Sequence, residues 1–376
     1  MTATVLDPTQ LNRTTLLRQG LLAREPTTVR EAIARFGPLQ SQNPMSPYVA
    51  LWNRMTDFDP MALDGGYTDG ELVKASLIRL TLHTINHTDY ITYRSAMLPN
   101  LRGAGYGDRR FAATGLSIEN ADALTDELRP FLTEPRTRSD IEAELTARLG
   151  TEPKPGLWRA LRYAAPWHHS PGGHPWIFGD PARFVAADPT LVDHEHAVVE
   201  VVRRYLAAFG PGTRRDIGQY TLLRLSVVDA ALAAIDDLCT YQGTGGTLVD
   251  LEGHPIAADT PPPPRLLGMW DNTLLAYADR SRLLPDHLRP HVIRRNGDVL
   301  PTVLLDGTVA GIWRPTTDGI EIGLFEPTAG AISDELEQEA KALAALITSR
   351  DPSSYQRHDH WWDKLPGLER HTVAAT

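Results

Sequence analysis

The stretch Leu77-Ile78-Arg79-Leu80-Thr81-Leu82-His83 alternates in the manner of a half-buried strand. What precedes it makes it decisive for the fold. Residues 11–36 read as helix, with Leu11, Leu16, Leu17, Leu21, Leu22, Val29 and Ile33 on recurring faces. Glu25-Pro26-Thr27-Thr28 is a break followed by a restart. Tyr48 to Met55 predicts a short helix, and Thr68-Asp69-Gly70-Glu71 opens another that runs to about Ala75. Thr88-Asp89 can cap a helix from Tyr90 to Leu98. Helices followed by a strand or two is the order of a winged helix.

The order recurs along the chain. Leu124 to Phe131, Arg138 to Leu149 and Leu157 to Tyr163 read as helices, and His174-Pro175-Trp176-Ile177-Phe178 as a short strand. A third round has helices over Ala197 to Leu206, from Gly210-Pro211-Gly212-Thr213, and over Ser226 to Leu238, then a strand at Thr247 to Leu251. The expected fold is α+β, with three tandem winged-helix units at 1–118, 119–190 and 191–258. Asp259-Thr260-Pro261 to Pro264 is a stiff connector. Beyond it, 265–350 predicts a C-terminal β-hairpin region. Thr302 to Trp313 places two alternating runs around Asp306-Gly307, Ile320 to Phe325 adds a strand, and Ile332 to Thr348 closes as a helix. Residues 351–376 read as a loosely held tail, with Trp361-Trp362 able to dock.

Composition sets outer limits. The 376 residues are 42% hydrophobic and 22% charged, an ordinary globular balance. The lone cysteine, Cys239, excludes an internal disulfide and argues for a reducing compartment, here the cytoplasm. The start carries neither a basic region nor an apolar run, and no stretch has the apolar length of a membrane span. A net charge of −10 weighs against nucleic acid, but local clusters set the field at a binding face. Lys74, Lys154, Lys341 and Lys364 are the lysines among 37 basic residues. The arginine bias suits bidentate phosphate contacts or reflects a GC-rich genome, with equal weight.

The chemistry concentrates in Gln40-Ser41-Gln42, bracketed by Pro38 and Pro44 at a break in helix. Alone, such a tripeptide is most often a polar loop. Two amides one residue apart neither bind a metal nor abstract protons near neutral pH. Their carbonyl oxygens can hold a water and support positive charge. That suits hydrolysis of a bond whose leaving group departs easily.

Several ordered patches between about residues 10 and 315 resemble the winged-helix DNA glycosylases of the AlkZ/YcaQ superfamily. They are Leu11-Asn12-Arg13, Leu39 to Pro44, Pro47 to Trp52, Arg79 to His83 with Asp89-Tyr90, Ala276 to Pro285, and Asn296 to Val303. The resemblance implies three winged helices around a concave DNA-binding face and a Gln-x-Gln or Gln-x-Asp catalytic motif. It places Gln40 and Gln42 in the catalytic positions. The Gln-x-Gln form resembles the AlkZ branch, which removes bulky N7-alkylguanine adducts and unhooks interstrand crosslinks. Members of that branch often give antibiotic producers resistance to their own alkylating product. Ser41 departs from the aliphatic middle residue of that branch, which bears on the substrate.

Alkylation at N7 makes guanine a cation that departs neutral, so no general acid is needed. An expected division of labour has Gln42 orienting the water and Gln40 stabilising the sugar or sharing the water. No lysine lies near the motif in sequence, so the expectation is a monofunctional hydrolase without metal or organic cofactor. A crosslinked base cannot swing out of the duplex, so a crosslink-tolerant site should be shallow. His83 and His87 have a spacing of four, but His83 touching DNA is favoured over a metal ligand. His168-His169 and His174 read as a polar loop rather than a metal cluster. Arg280 and Arg282 either grip phosphates or pair with Asp279 and Asp286. Arg294-Arg295, just before the hairpin, are slightly better DNA contacts, and Asn43 joins them beside the motif. Arg214-Arg215 form a phosphate clamp or a solvated cap. The expected partner is double-stranded DNA carrying alkylated purines, bound by a nucleoid-associated monomer without membrane contact. The rival reading is a non-enzymatic winged-helix regulator, which would normally be a dimer.

Overall fold

The computed structural model describes residues 4–326, 332–365 and 367–375. The fold is α+β. Asp7 caps the helix Pro8–Arg18, and a reciprocal Thr28–Glu31 capping box starts the helix Val29–Phe36 beyond Pro26. Val29, Ala32, Ile33 and Phe36 form the buried stripe of that second helix. The chain then passes through the two-residue strand Leu39–Gln40 into the helix Ser46–Arg54.

Two readings change at this point. Thr68 ends a helix, Pro60–Thr68, rather than opening one, and Leu72–Ser76 is a strand. That strand pairs antiparallel with Leu82–Asn86, with Ser76 opposite Leu82, so residues 77–81 are the loop of a hairpin. The Leu77 N–H donates to the Thr81 carbonyl at 3.0 Å and closes it. Arg79 and Leu80 have φ of 53° and 61°, the left-handed region that costs a residue with a Cβ about 1–2 kcal/mol. Alternation misleads here because Leu77 and Ile78 are buried in the core from within a loop.

Strands of the first two rounds share one sheet. Its order is Leu39–Gln40, Leu82–Asn86, Leu72–Ser76, Trp167–His169, Arg183–Ala186, Arg136–Thr137. Lys74 opposite His169 is the join between the halves. The expected strand at 174–178 is absent; Trp176 leaves the sheet to pack edge-on against Tyr48, with ring centroids 5.0 Å apart. His168 sits on a strand rather than in a polar loop, its ring 4.4 Å from that of Tyr90. A separate apolar cluster, including Phe111, Leu128, Ile141, Trp158 and Phe184, fills the second round.

The third round runs through the helices His194–Phe209, Arg214–Thr221 and Leu225–Ala233. Its last helix stops short of Leu238, which opens the hairpin Leu238–Gly243 and Gly246–Leu251. Arg265–Leu267, Thr302–Leu305, Thr308–Thr316, Gly319–Leu324 and Glu369–Ala374 form a five-stranded antiparallel sheet. Asp306 and Gly307 turn its first hairpin with φ of 45° and 74°, the two positive values a two-residue turn of this type demands. Asn12 donates to the Gly307 carbonyl at 2.8 Å, tying the turn to the first helix. The described part of the segment 351–376, read as a loose tail, is built in. Pro352–Lys364 is a 3-10 helix with Tyr355 and Trp362 buried, and Glu369–Ala374 is an edge strand of the sheet.

Candidate active site

Gln40 lies directly opposite His83 at the end of its short strand, so the two side chains share a face. Gln40 is buried. Its Oε1 accepts a hydrogen bond from the Arg79 guanidinium at 2.8 Å. Arginine has no acceptor atom, so this bond fixes the amide with oxygen toward Arg79 and nitrogen away. Among the described residues the Gln40 NH2 has no protein partner, and its carbonyl keeps one lone pair.

The hairpin loop, in this shape, presents Arg79. Its guanidinium lies over the Tyr220 ring at 5.1 Å and also donates to the Tyr220 carbonyl at 3.3 Å and to Asn272 Oδ1 at 3.4 Å. Burial, opposed by Tyr220 and reinforced by the nearby Arg280 charge, pulls its pKa down to about 10. It stays a cation at neutral pH. Asn272 also donates to the Pro38 carbonyl, so it braces both the arginine and the approach to Gln40. Behind Asn272, Arg54 and Asp271 form a buried bidentate ion pair at 2.9 and 2.8 Å. Such a pair fixes geometry more than it adds stability.

Gln42 differs in every respect. It is exposed, past the end of the strand. The Ser41 N–H donates to the Leu82 carbonyl at 2.8 Å, and Gln42 Oε1 accepts the Leu82 N–H at 3.2 Å. The side chain therefore stands where a backbone carbonyl would have continued the ladder. Gln42 lies on the wall between two clefts of about 520 and 370 Å³. Lys74, His169, Asp180 and Arg183 line the first with it; Arg138, Arg162 and Tyr163 line the second. The arrangement offers two amides of fixed orientation, one braced within the protein and one open to a polar, largely cationic cleft.

The other sequence-predicted residues divide. His83 is wholly buried, so it is not a DNA contact. Burial, then the Arg79 charge, pushes its imidazole down to about 3, and its Nδ1 lies 3.0 Å from the Thr81 carbonyl. A neutral ring must be the Nδ1–H tautomer to donate there. Asn43 is buried and spent: it donates to the Ser354 carbonyl at 2.8 Å and accepts from Met45 N–H at 2.9 Å. It ties the motif loop to the C-terminal 3-10 helix instead of meeting DNA. Arg282 stacks on Tyr277 at 4.2 Å and donates to the Pro211 carbonyl at 3.1 Å, an internal brace rather than a phosphate grip. Arg294 likewise covers Trp361 at 4.3 Å and donates to the Pro290 carbonyl at 3.0 Å. Among the described residues Arg280 makes no ion pair with Asp279 or Asp286, and burial and the neighbouring Arg289 charge lower its pKa. Arg295 is exposed. These two keep guanidinium donors for an outside acceptor. Arg214 pairs with Asp229.

Lys74, Arg79 and Asp180 escape sequence reasoning, and His169, read with His168 as part of a polar loop, lies on the strand Trp167–His169 and lines the first cleft. Arg79 stands inside a quoted patch but reads there as one more strand position. Lys74 is far from Gln42 along the chain and belongs to no local motif; only the sheet carries it to the cleft that Gln42 lines. Distance along the chain therefore gives no ground for a lysine-free site. Among the described residues no group of three or more His, Cys, Asp or Glu could hold a metal, and no helix is long and apolar enough to cross a membrane.

The profile of the family described as DNA glycosylase AlkZ-like matches residues 33–346. The interstrand DNA cross-link repair glycosylase of Streptomyces sahachiroi is 25% identical over 356 residues, covering 87% of this chain and 93% of that protein. The solved structure of Streptomyces sahachiroi DNA glycosylase AlkZ superposes with a TM-score of 0.77 at 22% identity, covering 92% of this chain and 98% of that one.

Proposed function

Because this chain belongs to the AlkZ-like DNA glycosylase family, we propose that it hydrolyses the N-glycosidic bond of alkylated purines in double-stranded DNA, N7-alkylguanine and N3-alkyladenine above all. The observation that carries this reading is the fixed pair of amides. Arg79 orients Gln40 and the Leu82 N–H orients Gln42, leaving each carbonyl one free lone pair. An amide is too weak a base to drive loss of a normal base, but it can align water under C1′ and face the developing sugar cation. Gln42, beside the clefts, orients the water; Gln40 stabilises the sugar.

Interstrand crosslinks are included. The crosslink-repair relative supports this, and so does the exposure of Gln42 on a cleft wall instead of in a deep pocket. In a cell that makes a DNA-alkylating product, the same activity gives self-resistance. The protein acts as a monomer, and Arg280 and Arg295 supply phosphate contacts. The regulator reading is not favoured, because the matching family and the crosslink-repair relative are named as DNA glycosylases.

The test is release of free base from duplexes carrying a panel of N7-guanine and N3-adenine adducts and one interstrand crosslink. Turnover of the N7-alkylguanine duplex is expected, with no release from unmodified DNA. Retention of every adduct, with tight sequence-selective binding, would overturn the reading.

A further inference from the structure

Lys74 is the one lysine that lines the cleft beside Gln42. It sits mid-strand, opposite Thr84 on one side and His169 on the other, so the sheet fixes its backbone. The residue is 4% exposed, and its Nζ lies 4.4 Å from the centroid of the Phe178 ring. Among the described residues no hydrogen-bond acceptor and no close carboxylate holds the amine. A buried amine without a partner is costly in its charged form. Asp180 lines the same cleft, is exposed, and has no hydrogen bond or ion pair of its own among the described residues.

We propose that Lys74 gives this protein a second activity, cleavage of the DNA strand at the abasic site that base excision leaves, through an imine with the opened sugar. The inference rests on the glycosylase reading, since excision delivers the sugar to this cleft. The Lys74 nitrogen bonds to C1′ of the ring-opened deoxyribose. The C1′ oxygen leaves as water, taking up one solvent proton in the balance, and a protonated imine remains. The Asp180 carboxylate accepts the C2′ proton. The electron pair left behind expels the 3′ phosphate as the C3′–O bond breaks. Water then hydrolyses the imine, releases the unsaturated aldehyde and restores the amine. Burial, opposed by the Asp180 charge, pulls the Lys74 amine down to about 7, so a large fraction is neutral and nucleophilic at physiological pH.

A duplex with a single preformed abasic site, made by excising uracil, tests this without any need for base release. The full-length protein and sodium borohydride are expected to give a covalent protein–DNA adduct, mapped by proteolysis and mass spectrometry to Lys74. Without borohydride the strand is nicked at the abasic site. Lys74→Arg lowers the trapped adduct about tenfold or more. Absence of an adduct with the wild-type protein, or an adduct mapped to another amine, overturns the proposal. Because mapping is done on the wild-type protein, it decides even where Lys74→Arg fails to fold. A protein that frees alkylated bases but traps no abasic site loses only this second activity; one that traps abasic sites but frees no base loses the excision reading.

Discussion

Gln40 and Gln42 are near neighbours that carry the same side chain, yet they live in different surroundings. Gln40 is enclosed and held by an arginine that is itself braced by Tyr220 and Asn272. Gln42 is exposed and held by a single backbone N–H at a cleft wall. The difference teaches that one motif is served by two kinds of preorganisation. Gln40 depends on long-range packing from the third helical round and the C-terminal region. Gln42 depends on the local end of a strand pair.

The comparison is most directly broken with truncations. Gln42→Ala is expected to cost about 100-fold or more in base release while leaving thermal stability near wild type, because the side chain is exposed. Gln40→Ala should match that loss and also lower stability by about 1–3 kcal/mol, since it strips Arg79 of the shortest of its three hydrogen bonds. Equal stability of the two variants in denaturant titrations would refute the contrast between clamp and cleft. Arg79→Ala sharpens it further. Base release should fall about tenfold or more through kcat, with DNA affinity nearly unchanged, because Arg79 acts on Gln40 as a positioning residue.

Acid should weaken the sheet beneath both glutamines. His83, His168 and His169 all titrate below the usual histidine range, chiefly through burial. From about pH 6.5 downward the unfolded chain takes up protons that the folded chain refuses until about pH 3, so stability falls as pH drops through that window. Melting temperatures measured across it check the sign; a flat profile would count against neutral buried rings. The smallest effect separates two arginines. Arg280→Ala should weaken DNA binding and reduce the salt slope by about one, whereas Arg282→Ala should lower stability and leave that slope alone. Fluorescence anisotropy across a salt series distinguishes them.

Much is legible from sequence because its signals are local. The helix restart after Pro26 at Thr27-Thr28, the helix Arg138–Leu149 and the Asp306-Gly307 hairpin all depend on residues within a few positions of each other. So does the Gln-x-Gln motif, whose resemblance to a glycosylase family matches the family profile over residues 33–346. Local pattern fails at Leu77–Thr81, where burial of a loop's apolar residues imitates strand alternation, although Leu82 and His83 do begin a strand. It also fails for Asn43, His83, Arg282 and Arg294. A polar side chain reads alike in sequence whether it faces DNA or a buried carbonyl.

The chain by itself therefore determined its family, most of its helices and the pair of amides proposed as its chemical centre. Only the tertiary structure decided that Arg79 reaches Gln40, that Lys74 and Asp180 line one cleft with Gln42, and which arginines stay free. The physical reason is range. Propensity, capping and turn chemistry act over a few neighbouring residues, whereas desolvation and hydrogen-bond partnership are set by segments that meet only once the sheet has closed.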